Sequence, residues 1–296
     1  MKHIFSCNSM VSQRVVQSSF QRFMKSFFIL QVTSIRLATA ELSLPFSFCL
    51  LPRFGSRSLS SAMSSANMAS GRIQESPSAE RNKGPIMDVL RSPEVLSAIS
   101  RPGRTLEVLE IAAGCGVHTL HFVREIIEDG VTDVVWHPTD PSQSIDSINA
   151  RIEMESDPRV KNSIMMARLL TLDEDGVVEG RDGEIHPPTA GMDGIDLMVN
   201  INMIHISPLE ATTGLMKTAS KLLRPGGILF CYGPYKVDGT AVESNLSFDR
   251  SLKSRDPSWG LRDLEEVVEK AEKNGLKLVK TVEMPANNLS VIYKKQ

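Results

Sequence analysis

The stretch Val108-Leu-Glu-Ile-Ala-Ala-Gly-Cys-Gly-Val-His-Thr119 decides how this chain is read. Leu106 to Ile111 has the apolar character of a short buried strand, with the acid Glu110 near its end. Small residues follow, and Val117 opens a helical pattern that runs to Glu128. Gly114 and Gly116 can take a positive φ and carry no Cβ to block a ligand. A ligand can therefore lie against the turn, where the first N–H groups of the helix point outward. A dinucleotide would place its pyrophosphate there, against the charge of Glu110, and would want a third glycine where this chain has Thr119. S-adenosylmethionine carries an ammonium and a sulfonium, which an acid beside the turn attracts. The turn thus favours the class I methyltransferase plan over a dinucleotide oxidoreductase.

Outward from this turn, strand and helix patterns alternate to the C-terminus. The spacing predicts a leading helix over Pro85 to Ile99. Strands are predicted at Val134 to His137, Ile164 to Leu172, Ile195 to Asn200 and Ile228 to Tyr232. Helices are predicted over Ser142 to Glu155, Leu209 to Leu223 and Leu261 to Asn274. An irregular segment, Asp173 to Gly194, and a long polar loop, Gly233 to Gly260, interrupt the pattern. The alternation implies an α/β fold with a mainly parallel, seven-stranded, Rossmann-like sheet. Two closing strands, Leu276 to Glu283 and Leu289 to Lys294, are joined by a link too short for a crossover, so they form an antiparallel hairpin.

Ligands of open α/β sheets bind outside the carboxyl ends of the strands, so polar residues there are the candidates. Asp140, just past the second strand, can accept both ribose hydroxyls or cap the next helix. Asp173 can meet an adenine amino group or belong to a solvated acidic loop with Glu174 and Asp175. After the fourth strand, Asn200 or Asn202 can orient a substrate, and His205 can take its proton or simply pack. Tyr232 and Trp259 are expected around the transferred group, with Trp259 or Phe248 walling a small substrate. His118 and His121 stand one turn apart but lack a third metal ligand, so no metal is expected.

Residues 1–74 have a different composition from the rest. They hold eight Lys/Arg, sixteen Ser and one acid, Glu41, a bias typical of transit peptides. The expectation is an extension that directs the chain to a mitochondrion or plastid. The alternative is a start at Met63 or Met68 and a cytoplasmic protein. The apolar run Phe27 to Val32 is too short to span a bilayer. The whole chain carries −2, so residues 75–296 carry −9 once the +7 of the extension is removed. An acidic body lacks the basic footprint of a phosphate-backbone binder, which argues against a nucleic-acid substrate.

Three further segments, Ser76-Pro-Ser-Ala-Glu-Arg-Asn82, Trp136-His-Pro-Thr-Asp140 and Met284-Pro-Ala-Asn-Asn-Leu289, carry a resemblance. With Asn202-Met-Ile-His-Ile206, Tyr232-Gly-Pro-Tyr235 and Arg255-Asp-Pro-Ser-Trp-Gly260, residues 76–296 resemble the methyltransferase-like protein twenty-six family, in the expected order. The resemblance implies a class I methyltransferase fold, S-adenosylmethionine as cofactor and an unidentified small-molecule or protein acceptor. It places Ala112 at the first glycine position of the turn, where one methyl is tolerable at negative φ. It also offers Arg81 for the methionyl carboxylate.

Overall fold

The computed structural model describes residues 72–101, 103–178 and 194–296. The extension read as a transit peptide lies outside them, apart from its last three residues, as does most of the segment expected to be irregular.

Two short helices lead, α1 (Pro77–Leu90) and α2 (Pro93–Ile99). The Ser76 hydroxyl caps α1 by accepting from Ala79 N, and Pro77 occupies the first turn, where its missing N–H costs nothing. The predicted start at Pro85 is therefore corrected: that proline lies inside α1. The cap chemistry sits ahead of the apolar periodicity, which is why periodicity alone placed the start too late.

The chain then runs β1 (Leu106–Ile111), α3 (Val117–Glu128), β2 (Val134–Asp140), α4 (Ile145–Met154) and α5 (Pro158–Asn162). It continues through β3 (Arg168–Leu169), β4 (Thr171–Asp173), β5 (Gly176–Val178), β6 (Ile195–Ile201), α6 (Leu209–Leu222) and β7 (Leu223–Gly233). Helices α7 (Glu243–Arg255) and α8 (Leu264–Lys273) precede the closing strands β8 (Leu276–Met284) and β9 (Asn288–Lys295). Seven strands form one sheet in the order β3-β2-β1-β6-β7-β9-β8. Pairing is parallel from β3 to β7, and antiparallel for β9 against both β7 and β8. Every residue of β1 and β6 is buried, as suits central parallel strands covered on both faces, whereas the edge strand β8 is mostly exposed or half-buried. One apolar cluster lies under α1, α2 and α3, and another under α6 and α8.

Two expectations fail for identifiable reasons. The strand predicted over Ile164 to Leu172 breaks into an isolated bridge at Ile164, the two-residue β3, and β4, which pairs antiparallel with β5. Asn149 of α4 accepts from Ala167 N at 2.8 Å and so takes a donor the ladder would need. The polar loop expected over Gly233 to Gly260 contains α7. The buried residues of that helix are Asn245, Asp249 and Leu252, so its inner face is largely polar and shows no apolar period.

Candidate functional site

Strand β1 delivers the chain to a turn with three left-handed residues, Ala112 (φ 58), Gly114 (φ 60) and Gly116 (φ 85). The condition under which a methyl at Ala112 is tolerable, a negative φ, is not met: its Cβ is carried in a region that L residues avoid. The two glycines serve different needs. A Cβ on Gly114 would meet nothing within 4 Å, so this face of the turn is open. A Cβ on Gly116 would lie 3.0 Å from Ile148 Cα, so that glycine lets α4 approach. Helix α4 fixes the turn through Ser147 Oγ and Arg151 Nε, which both donate to Cys115 O at 3.1 and 3.0 Å. The Asp140 carboxylate closes the other side. Its Oδ2 accepts from Gly114 N at 2.9 Å, and its Oδ1 accepts from the Ser142 backbone and hydroxyl.

Above the turn opens a cavity of about 520 Å³ at the carboxyl ends of β1, β2 and β6. Of the residues picked from sequence, Ala112, Gly114, Asp140, Asn202 and Trp259 line it. Asn202 takes φ 63, which asparagine tolerates better than most residues, and its N–H donates to Tyr232 O at 2.8 Å. Trp259 enters from the loop after α7, with the Arg255 guanidinium 5.2 Å from its ring centroid. Leu170, Thr171 and Leu172 form one end of the wall, while Ser76, Ser78 and Ala79 of α1 form another part of it.

The remaining picks lie off the cavity wall, and their local partners explain why. Glu110 is sealed beneath the turn. Its Oε2 accepts from Thr119 Oγ1 at 2.6 Å and from Trp136 Nε1 at 2.7 Å. Burial pushes its carboxyl up to about 7, so it supports the turn and does not present a charge to a ligand. Asp173 has an exposed side chain whose Oδ1 accepts from Asp175 N, which makes it a hairpin residue. Arg81 is exposed on α1. Asn200 is fully buried; its Nδ2 donates to Ile111 O at 3.3 Å, and its Oδ1 has no donor. His205 is buried edge-on to Phe248 with ring centroids 5.6 Å apart, and desolvation pushes it down to about 4. Tyr232 is buried, which pushes its hydroxyl up, while the nearby Asn82 and Asn288 act in the other direction.

His118, weighed in the sequence only as half of a metal pair with His121, stands at the site and is held there by Asn82. His118 of α3 lines the cavity, and its Nε2 lies 2.7 Å from Asn82 Oδ1 on α1. Asn82 closes the same motif that drew attention to Arg81. Its turn of α1 faces α3, a fact of packing that the motif alone does not carry.

Residues 73–295 match the family described as a protein of unknown function, DUF938, and the chain belongs to that methyltransferase-like family. Solved structures share its fold at low identity. An O-methyltransferase family protein from Burkholderia thailandensis is 13% identical, with a TM-score of 0.52 over 73% of this chain and 57% of that one. An O-methyltransferase family 2 protein from Planctomyces limnophilus, solved with apigenin, is 16% identical, with a TM-score of 0.51 over 81% and 70%. LepI, solved with SAH and a substrate analogue, is 14% identical, with a TM-score of 0.52 over 80% and 53%. The chain spans little more than half the length of two of these proteins. The seven-stranded mixed sheet with its closing antiparallel hairpin is the class I methyltransferase fold.

Proposed function

We propose that this chain is an S-adenosylmethionine-dependent methyltransferase acting on a small-molecule acceptor. The observation that carries the reading is the glycine turn, open at Gly114, beneath a cavity that has Asp140 at the end of β2. Three further features suit the cofactor. The volume falls within the range of small-molecule sites. Leu170 and Leu172 offer apolar cover for an adenine beyond Asp140. Of the roughly four lone-pair positions of Asp140, three are used, which leaves capacity for a ribose hydroxyl.

When bound, the cofactor supplies a methyl group made electrophilic by its sulfonium. The work of the protein is then alignment and exclusion of water. Asn202, held in its left-handed conformation at the end of β6, orients the acceptor. Trp259 closes the cavity on the acceptor side. The test is thermal stabilisation by S-adenosylhomocysteine compared with NAD. S-adenosylhomocysteine should raise the Tm, and Asp140→Ala should reduce the rise; a response to NAD alone rejects the reading. Labelled donor incubated with extract of cells lacking the protein then tests transfer.

Only Asn202 and Trp259 of the four residues first read as catalytic line the cavity, which favours one alternative, a cofactor-binding module that recruits a partner. Tight binding of S-adenosylhomocysteine without any protein-dependent labelling would select it.

A further inference from the structure

We propose that His118, held by Asn82, is the proton acceptor for a neutral aromatic acceptor bearing an ionisable hydroxyl. The proposal rests on the methyltransferase reading above and deepens it.

The tautomer follows from the partners. The Asn82 amide has one accepting and one donating end. Its accepting end, Oδ1, faces His118 Nε2 at 2.7 Å. Only a ring protonated at Nε2 satisfies that oxygen, so in the neutral imidazole Nδ1 carries the lone pair. Among the described residues Nδ1 has no hydrogen-bond partner. His118 is 6% exposed and stands in the cavity wall, so this free basic nitrogen belongs to a buried ring at the site. Burial, then the neighbouring His121 and Lys83, hold the imidazole down to about 4, although Glu80 opposes them. The ring is therefore neutral and able to accept at ordinary pH. A base paired with an orienting amide, within a ligand cavity, is the arrangement proton transfer requires.

The wall also selects the acceptor. No lysine or arginine stands among the described lining residues, so an anionic acceptor finds no counter-charge. As the oxygen bonds the methyl carbon its proton becomes strongly acidic, so a weak base suffices, and a phenol, which ionises near 10 in the range of tyrosine, presents a far more acidic hydroxyl than an aliphatic alcohol. Trp259 gives a planar ring a flat surface to lie on. In the step itself, the phenolic O–H bond breaks toward His118 Nδ1 as the oxygen bonds the methyl carbon. The carbon–sulfur electron pair returns to the sulfonium, whose positive charge is cancelled while one appears on the imidazolium. That proton passes readily to water, because the ring is a weak base.

The test compares 4-nitrophenol with nitrobenzene, which lacks the hydroxyl, as ligands of the full chain saturated with S-adenosylhomocysteine. Binding is read by tryptophan fluorescence at a pH that keeps the phenol protonated. Wild type should prefer the phenol about tenfold, the worth of one well-made hydrogen bond. His118→Ala should abolish the preference and leave S-adenosylhomocysteine affinity within about twofold. Asn82→Leu, which frees the ring to change tautomer, should reduce it. A role in packing alone would weaken both probes and the cofactor product together. Absence of the preference in wild type, its survival in His118→Ala, or loss of S-adenosylhomocysteine binding in that variant overturns the proposal. Failure of wild type to bind S-adenosylhomocysteine would instead overturn the methyltransferase reading itself.

Discussion

Two residues, Ala112 in the glycine turn and Glu110 beneath it, illustrate how one side chain can oppose its surroundings. Ala112 holds φ 58 with a Cβ attached, which costs roughly 1–2 kcal/mol relative to a right-handed residue. Glycine adopts this conformation without that penalty but loses more chain entropy on folding. Ala112→Gly should therefore stabilise the protein by a net of about 0.5–1 kcal/mol, read from urea unfolding; a loss of stability would show that the methyl makes a packing contact worth more than the strain. Glu110 gives a pH signature. Its carboxyl rises from an ordinary 4.5 to about 7 because burial penalises the charge. Between those values the folded chain keeps a proton that the unfolded chain has released, so the contribution falls as pH rises. Glu110→Gln should gain on wild type by about 3 kcal/mol between pH 4.5 and 7, with the gap constant above. His118 and His205 act in the opposite sense. Each is pushed from 6.5 down to about 4, so their contribution is lost as pH falls through that window. A gap between Glu110→Gln and wild type that stays flat from pH 4.5 to 7 would mean that Glu110 ionises in the folded protein as it does in the unfolded chain.

At the scale of elements, the cavity wall depends on packing some distance from it. Helix α6 lets the β4–β5 hairpin sit on Gly214, because a Cβ there would collide with the Asp173 carbonyl. That hairpin and the residue before it bring Leu170 to Leu172 to the cavity. Gly214→Ala should cost about 1–3 kcal/mol through overpacking and weaken S-adenosylhomocysteine binding in calorimetry. Unchanged affinity would detach the hairpin from cofactor binding. Helix α7 supports the opposite side. Asp249 Oδ1 accepts from Leu261 N at 2.7 Å, just past the loop that carries Trp259, and Gly260 lets the loop approach this carboxylate. Asp249→Ala leaves a buried donor unsatisfied, at a cost of about 1–3 kcal/mol. Tryptophan emission should shift to the red as Trp259 gains water, since Trp136 is buried in the core; an unshifted spectrum would show that the loop is held by other contacts.

At the scale of the molecule, the part that matches the family begins at residue 73, and ties to α4 begin at the same place. Arg72 pairs with Glu153, Gln74 N donates to Ser147 Oγ at 2.9 Å, and Arg151 Nη2 donates to Gln74 O at 2.7 Å. We therefore propose that a chain starting at Ser70 folds and binds S-adenosylhomocysteine with the Tm and affinity of the full chain; a drop in either would place necessary contacts upstream. The organelle address remains a proposal, tested by a reporter fused behind residues 1–70, where diffuse cytosolic signal would reject it. The sequence by itself determined the sheet, because apolar runs, a glycine turn and a short final link are local patterns that leave little freedom of topology. It also placed Gly114, Asp140, Asn202 and Trp259 at one end of that sheet, because strand ends can be counted along the chain. Only the tertiary structure decided which way the acids and histidines face. Glu110 turns under the strand to Trp136 and Thr119, His205 turns into Phe248, and His118 comes to the cavity through Asn82, thirty-six residues away. Those directions are set by partners distant in sequence, and a side chain carries the same letter whether it is buried beneath a turn or lines the cavity above it.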